Sequence, residues 1–192
     1  MKKNLLTAVW FTIVTTLIFG IFYPLVITGL AHVMFPDRAN GQLIERNGKI
    51  IGSRIIGQAF SGPGYFHPRP SNAGTGYDPT ASGGSNLAPT NKNLIERVKA
   101  DVKKLQAENP GVPVPVDLVT SSGSGLDPEI SPAAAEFQIP RVARERNIPE
   151  GDVRALVGKH TLGRQFGFLG EPRVRVLELN LDLDATYPKR SS

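Results

Sequence analysis

The chain has 192 residues, with 22 basic and 17 acidic side chains, a net charge of +5 and no cysteine. The absence of cysteine excludes disulfides, thiol catalysis and cysteine-ligated zinc sites. The excess of positive charge is small, and no run of Lys or Arg stands out in the sequence. Nucleic acid is therefore not expected as a partner.

An uncharged, mostly apolar run extends from Leu5 to Leu30, directly after Lys2 and Lys3. A bilayer core needs about 20 apolar residues as a helix. At about 1.5 Å per residue the run would be roughly 39 Å long, so it must tilt or protrude. A cleaved signal peptide has an apolar stretch of only about 7–15 residues and a small-residue cleavage site. The run therefore predicts an uncleaved membrane anchor in residues 1–35, followed by one domain in residues 36–192.

The charges beside the span predict its orientation. Positive residues next to a first span tend to stay in the cytoplasm, and a long trailing domain is translocated largely regardless of its own charge. Lys2 and Lys3 lie on the short side, whereas acidic and basic residues balance on the other. We expect a cytoplasmic N-terminus and an extracytoplasmic domain.

Small residues recur at every fourth position of the predicted span, namely Ala8, Thr12, Thr16 and Gly20. Small residues at this spacing let helices approach closely, and Thr can hydrogen-bond across the contact. The row drifts by about 40° per step in an α-helix, so it forms a slanting ridge. The ridge predicts a helix face that packs on protein. Pro24 continues the row and cannot donate to the Gly20 carbonyl, which predicts a kink.

The domain is expected to have mixed α and β structure. One helix is predicted in residues 91–108, where apolar residues line one face. A second begins after Ser131, with Pro132 at its first position, and Pro140 must break or kink it. A third opens at Pro149 and reaches Lys159.

Extended segments are predicted on both sides of these helices. Residues 49–56 are rich in β-branched side chains, and apolar and polar residues alternate from Val174 to Leu183, as in strands. Residues 112–119 should be extended, because Pro113 and Pro115 push the residues before them toward the β region.

Residues 61–90 form a long segment rich in Gly, Pro, Ser and Asn. Such loops are usually functional or disordered, and Tyr65 and Phe66 make this one too apolar for a solvated tether. We predict an ordered loop that docks on a partner, because aromatic and Arg anchors dominate interfaces. The alternative for Phe66 is a place in the domain core. The candidate docking residues are Tyr65, Phe66, Arg69, Pro70, Ser85 and Asn86.

No motif predicts catalysis or metal binding. The three histidines lack the spacing of a zinc site, and no Ser lies in a G-x-S-x-G elbow. Residues 121–125 could form a nest of backbone N–H groups for an anion, or a tight turn before Asp127. The weak nucleotide candidates are Ser122, Gly123, Ser124 and Gly125.

Six short motifs follow the span in one order: residues 57–60 (GQAF), 65–71 (YFHPRPS), 84–87 (GSNL), 117–120 (DLVT), 122–128 (SGSGLDP) and 167–176 (GFLGEPRVRV). Together they closely resemble the KdpC family, whose members belong to the Kdp potassium-transporting P-type ATPase, over nearly the whole chain. Glu129 and Leu162 depart from the family pattern, which weakens any acid–base role at those two positions.

The resemblance implies an accessory subunit of an ATP-driven, high-affinity potassium uptake complex in the bacterial plasma membrane. Its partners would be the channel-like protein KdpA, the P-type catalytic protein KdpB and the small protein KdpF, together with membrane lipid. The family is described as a catalytic chaperone that raises the ATP affinity of KdpB, and residues 122–126 are likened to a signature loop of ABC transporters.

ATP is cytoplasmic, whereas the charge pattern exports the domain. We therefore expect a non-enzymatic subunit without a firmly bound cofactor, coupled to ATP through its span or through KdpA. The alternatives are a regulatory nucleotide-binding module with ATP at the interface with KdpB, and an anchored exported hydrolase, which the missing catalytic residues disfavour.

Overall fold

The structure of the chain is a computed structural model that describes residues 1–188. Its contacts divide it into two compact units, one of residues Met1–Ile51 and one that begins at Gly52. The two units are described separately.

The first unit begins with the predicted apolar helix, which runs continuously from Lys2 to Met34. It consists of α1 (Lys2–Thr15), a π-helical stretch (Thr16–Phe22) and α2 (Tyr23–Met34). Its mean hydropathy is 2.2, and by length and composition it can cross a membrane. A candidate membrane helix therefore lies where the sequence predicts it.

The π-helical stretch directly precedes Pro24. The Tyr23 N–H donates to the carbonyl of Ile18, five residues earlier instead of four. Pro24 has no N–H to give to the Gly20 carbonyl, and its ring crowds that group. Wider turns move the backbone away from this conflict, and such turns occur frequently at functional sites. The hydrogen-bond pattern of the helix therefore changes over the residues before Pro24, and the predicted kink stays a prediction.

A short helix and a hairpin follow the long helix. These are α3 (Pro36–Ala39) and the strands β1 (Leu43–Arg46) and β2 (Lys49–Ser53). Asn47 and Gly48, with φ of 53° and 71°, connect the strands. Asn-Gly suits a two-residue turn in which both residues have positive φ. The strand predicted in residues 49–56 is confirmed over Lys49–Ser53 as β2 and is wrong for residues 54–56, which form a turn.

The described part of the second unit has four α-helices and a small antiparallel sheet. The helices are α4 (Lys92–Glu108), α5 (Pro132–Arg146), α6 (Glu150–Lys159) and α7 (Val176–Thr186). The sheet has the order β3 (Glu129–Ile130), β5 (Arg173–Arg175), β4 (Thr161–Leu162). Helix α5 packs on α6, α6 packs on α7, and both α5 and α7 contact β5. The mixed helix and sheet composition of the domain is confirmed.

Local capping explains why α4 and α5 begin where the sequence predicts. The Asn91 side chain accepts hydrogen bonds from the N–H groups of Asn93 and Leu94. The Ser131 side chain accepts from the Ala134 N–H, with Pro132 next to it. Both arrangements satisfy donors that a helix start leaves free. Helix α5 then runs through Pro140 to Arg146, so Pro140 does not break it.

The strand predicted between Val174 and Leu183 is wrong beyond Arg175, where helix α7 begins. Alternating apolar residues also contain the helical spacing i, i+3, i+7, and Val176, Leu179 and Leu183 follow it into the core. The extended segment predicted in residues 112–119 is also partly wrong, because Val116–Leu118 form a 3₁₀ turn after extended Pro115.

Helix α7 supplies a test of this packing. Leu179 is fully buried, whereas Leu181, two positions on, is only half-buried. Leu179→Ala should destabilise the domain by about 2–5 kcal/mol because it opens a core cavity. Leu181→Ala, the matched control, should cost clearly less. Denaturant unfolding of the full chain in detergent measures the free energy of unfolding of both variants. Equal losses of stability would support a strand in which Leu179, Leu181 and Leu183 share one buried face.

Candidate functional site

The loop of residues 61–90 contains no helix or strand, yet two side-chain amides hold its first part. Asn180 of α7 accepts from the Phe66 N–H and donates to the Phe66 carbonyl, both at 2.9 Å. Gln138 of α5 accepts from the His67 N–H at 2.8 Å and donates to the His67 carbonyl at 3.1 Å. Asn180 and Gln138 are both buried, and their amides pair with the loop backbone as a neighbouring strand would.

Two arginines of α5 extend this attachment. Arg141 donates to the carbonyls of Pro63 and Tyr65 and to the Gln138 side chain, and burial lowers its guanidinium pKa. Its Nε lies 3.1 Å from a carboxylate oxygen of Glu108. A buried cation is tolerated when it is paired and hydrogen-bonded in this way.

Arg146 attaches the same segment to the end of α7. It donates to the Gly64 carbonyl at 2.7 Å and to Asp184 at 2.7 Å, and its guanidinium lies 4.7 Å from the centre of the Tyr65 ring. The Tyr65 hydroxyl donates to Asp184 at 3.0 Å. Burial, and then this bond to Asp184, raise the pKa of Tyr65. The aromatic pair that the sequence singles out therefore lies within a polar network of its own domain.

Arg69 joins the loop to the segment that follows Thr120. Its Nη1 lies 3.0 Å from Asp127, and its Nε and Nη2 donate to the carbonyls of Thr120 and Ser121. The Tyr77 hydroxyl donates to the Arg69 carbonyl. Burial raises the pKa of Tyr77 to about 12, so it remains a donor at neutral pH.

The predicted docking residues are thus placed in different surroundings. Phe66 is fully buried, which fits the alternative of a core residue. Tyr65 and Arg69 are half-buried with the partners described above, whereas Asn86 is exposed. Pro70 lines a cavity of about 290 Å³, and Ser85 is half-buried and accepts from the Leu87 N–H. Docking by these residues stays a prediction.

The Ser/Gly segment of residues 122–125 packs against the loop. The Ser124 carbonyl accepts from the Gly83 N–H at 2.8 Å and from the Ser82 hydroxyl at 3.0 Å. The Gly125 carbonyl accepts from the Ser71 hydroxyl at 2.6 Å. The Gly125 N–H donates to the Ser122 carbonyl at 3.3 Å. An anion nest needs successive N–H groups directed at the ligand, whereas this N–H is already used within the turn.

The small residues of the long helix all lie on its surface. The Thr12 hydroxyl donates to the Ala8 carbonyl of its own helix at 2.9 Å. A Cβ added to Gly20 would lie 3.7 Å from the Thr16 methyl group, so the helix itself does not require glycine there. Gly20 is therefore available for an external contact.

Comparison with known proteins identifies the family. Residues 5–185 match the family described as "KdpC: K+-transporting ATPase, c chain". The chain is 64% identical to a potassium-transporting ATPase KdpC subunit of Koribacter versatilis, over 98% of this chain and 97% of the relative. It is 58% identical to the same protein of Acidobacterium capsulatum, over 96% and 100%, and 56% identical to that of Caulobacter vibrioides, over 92% and 90%.

The chain belongs to the KdpC family. The resemblance seen in the sequence is confirmed, and the chain is a KdpC subunit of a potassium-transporting ATPase. The motifs behind that resemblance have structural roles in this KdpC chain. Gly57 lies so close to residues 126 and 127 that an added Cβ would be 2.5 Å from the Asp127 carbonyl oxygen. The Asp117 carboxylate accepts from the Ser131 N–H and hydroxyl.

Glu129 and Leu162, the two positions that the sequence singles out as departures, lie on the two outer strands of the sheet with β5 between them. Glu129 of β3 pairs with Arg173 of β5 at 2.8 Å, and Leu162 of β4 is in register with the same Arg173. Among the described residues, no group of three or more His, Asp and Glu side chains could hold a metal ion.

Gly125 tests the fit between the Ser/Gly segment and the loop. It has φ of +67°, and an added Cβ would lie 2.7 Å from the Ala73 nitrogen and from the Gly83 carbonyl oxygen. Gly125→Ala should destabilise this KdpC chain by about 1–2 kcal/mol through backbone strain and by about 1–3 kcal/mol more through overpacking. Gly123→Ala, with nothing within 4 Å, is the matched control and should melt like the original chain. Equal thermal melts of both variants would contradict this fit.

Proposed function

We propose that this chain is a non-catalytic subunit that holds the potassium-transporting ATPase complex together. The observation that carries the proposal is the KdpC match over residues 5–185, which includes nearly all of the candidate membrane helix and of the domain. A protein with one membrane helix and one folded domain can contact its partners both within the membrane and outside it.

The bonding of the polar side chains supports a role without catalysis. General acids, bases and nucleophiles must be within reach of a substrate. In the loop region of this domain, Arg69, Arg141 and Arg146 are instead bonded to the domain's own carbonyl and carboxylate groups. The buried amides of Gln138 and Asn180 are likewise bonded to the loop backbone. These groups stabilise a surface and are not presented to a reactant.

The proposed partners are the channel-like KdpA, the P-type catalytic KdpB and the small KdpF, with membrane lipid around the helix. We place the N-terminus in the cytoplasm and the domain outside, because Lys2 and Lys3 precede the span. In that orientation any effect on the ATP affinity of KdpB passes through the helix or through KdpA. Direct contact of residues 122–125 with ATP would require the opposite orientation.

Reporter fusions test the orientation. Alkaline phosphatase attached after Ser192 should be active, because it folds outside the cytoplasm, and a cytoplasmic reporter at the same position should be inactive. A fusion of the chain without residues 2–34 is the control for reporter expression in the cytoplasm. The reverse pattern of activity would reject the proposed orientation and restore direct ATP contact.

Substitutions in the long helix test assembly. Thr16→Leu and Gly20→Leu should loosen the complex by blocking close helix approach, by about 1–2 kcal/mol where a Thr hydrogen bond is lost as well. Val14→Leu, which lies off the small-residue ridge, is the control. The measurement is the amount of the other ATPase subunits that co-purifies with each tagged chain.

Two results of this experiment have separate meanings. Equal co-purification with all three variants would show that the ridge is not the interface. Failure of the unaltered chain to retain any other component of the ATPase would reject the accessory role itself.

A further inference from the structure

His67 belongs to the polar attachment that holds the long loop to the domain. Its N–H and its carbonyl are bonded to the side-chain amide of Gln138, and Arg141 donates to the Oε1 atom of the same amide at 2.7 Å. Arg141 also donates to the carbonyls of Pro63 and Tyr65. A single amide therefore separates the backbone of His67 from a buried cation.

The half-buried ring of His67 can accept a proton at one defined atom. Its Nε2 lies 3.0 Å from the Gly62 carbonyl oxygen. Because a carbonyl only accepts hydrogen bonds, Nε2 carries the proton of the neutral ring, and an added proton goes to Nδ1. The described residues offer Nδ1 no hydrogen-bond acceptor. A charged ring therefore gains no new bond within this part of the chain.

The charged groups around His67 are already positive in sum. Four charged side chains of α4 line the same cavity of about 290 Å³ as His67, namely Arg97, Asp101, Lys104 and Glu108, and the rest of the lining is uncharged. Asp101 pairs with Arg97 at 2.8 Å, and Glu108 pairs with Arg141 of α5 at 3.1 Å. Both carboxylates are thus paired with an arginine, and the charge of Lys104 is left over in this group.

These surroundings lower the pKa of His67 below its ordinary value of 6.5. Burial is the largest cause and the positive charge of Arg141 is the next, whereas the bond to Gly62 and the charge of Glu108 act in the opposite direction. The folded chain therefore binds this proton less readily than the unfolded chain. The stability that neutral His67 contributes is fully present above about pH 6.5 and is lost as the pH falls through the lowered pKa.

We propose that protonation of His67 releases residues 63–67 from α5 and makes the long loop an acid-sensitive part of the domain. The charged ring repels Arg141, and movement of His67 away from it breaks both bonds to Gln138. The loop also carries Tyr65, Arg69 and Pro70, so its release changes the surface predicted to dock on a partner. That consequence rests on the proposed function, whereas the release is a property of the domain alone.

The other two histidines do not give the same effect. The His160 ring lies 2.8 Å from the Asp182 carboxylate, so its protonation completes an ion pair. His32 lies in α2 of the first unit. The chain has only these three histidines, and histidine is the side chain that ordinarily titrates between about pH 5 and 8. An acid effect confined to the loop therefore identifies His67.

Amide hydrogen exchange of the full chain in detergent tests the proposal at about pH 7.5 and about pH 5.5, on the two sides of the ordinary histidine pKa. Protection factors, which correct for the intrinsic effect of pH on exchange, are compared between the amides of Phe66 and His67 and those of α6. Protection of the two loop amides should fall several-fold at the lower pH, by up to about 10-fold for each unit by which the pKa is lowered. Protection of α6 should stay unchanged.

Three variants assign the effect. His67→Gln keeps a donor for the Gly62 carbonyl but cannot become charged, and it should remove the fall in protection. Lys104→Gln removes a positive charge that faces His67 and should reduce the fall, which keeps the test independent of how well the first variant folds. Lys103→Gln, at an exposed neighbouring position outside the cavity lining, is the matched control and should behave like the original chain.

The remaining outcomes overturn the proposal. Equal protection of the loop amides at the two pH values would show that acid does not release the loop. A parallel loss of protection in α6 would assign the effect to unfolding of the whole domain. A full loss retained in Lys104→Gln, or in a folded His67→Gln chain, would assign it to another group. The measurement uses this chain alone, so its result is separate from the co-purification and reporter experiments that test the proposed function.

Discussion

The backbone pairing of Phe66 and His67 with two side-chain amides is the constraint on which the rest of the domain depends. A loop of this length loses a large amount of conformational entropy when it is ordered. Asn180 and Gln138 offset part of that cost by satisfying both backbone groups of each residue inside the core. Once Phe66 is fixed, its ring fills the space beside α5 and α7 as part of the main apolar cluster.

The attachment of the loop also determines which surface is left for partners. Arg141, Arg146 and Arg69 use their donors on the loop and on the segment after Thr120. Because these three guanidinium groups are hydrogen-bonded within the domain, the loop region offers few charged groups for the recognition of a partner. The apolar side chains of the loop between β4 and β5, Phe166, Phe168 and Leu169, are exposed instead. The two charged side chains of that loop, Arg164 and Glu171, form an ion pair with each other. Internal polar bonding and exposed apolar side chains are thus found in two different parts of the domain.

The features that could be predicted from the sequence are those determined by local chemistry. The starts of α4 and α5 follow from Asn91 and Ser131, whose side chains bond to N–H groups only two or three residues away. The long apolar helix follows from composition alone. Helix α7 could not be predicted, because its leucines fit the period of a strand as well as that of a helix, and packing against α6 and β5 decided between them.

The burial of Phe66 could not be predicted from the neighbouring sequence, for a different reason. Its backbone partner Asn180 is 114 residues away in the sequence, so no neighbouring residue signals its burial. The apolar residues of the β4–β5 loop were visible in the sequence as part of a motif, but only the fold shows that they are left exposed by the described part of the domain. In both cases the missing information was which distant segment lies next to the residue.

The π-helical turns between Thr16 and Phe22 change the geometry of the small-residue ridge. In an α-helix a spacing of four residues overshoots one turn by about 40°, so each member of the ridge is displaced in the same rotational direction. In a π-helix the hydrogen bonds join residues five apart, and four residues fall short of a full turn. The step from Thr16 to Gly20 therefore turns in the opposite sense to the steps from Ala8 to Thr16. The wider turns bring the ridge back toward a single line, and a straight neighbouring helix could follow it over a greater depth of the bilayer.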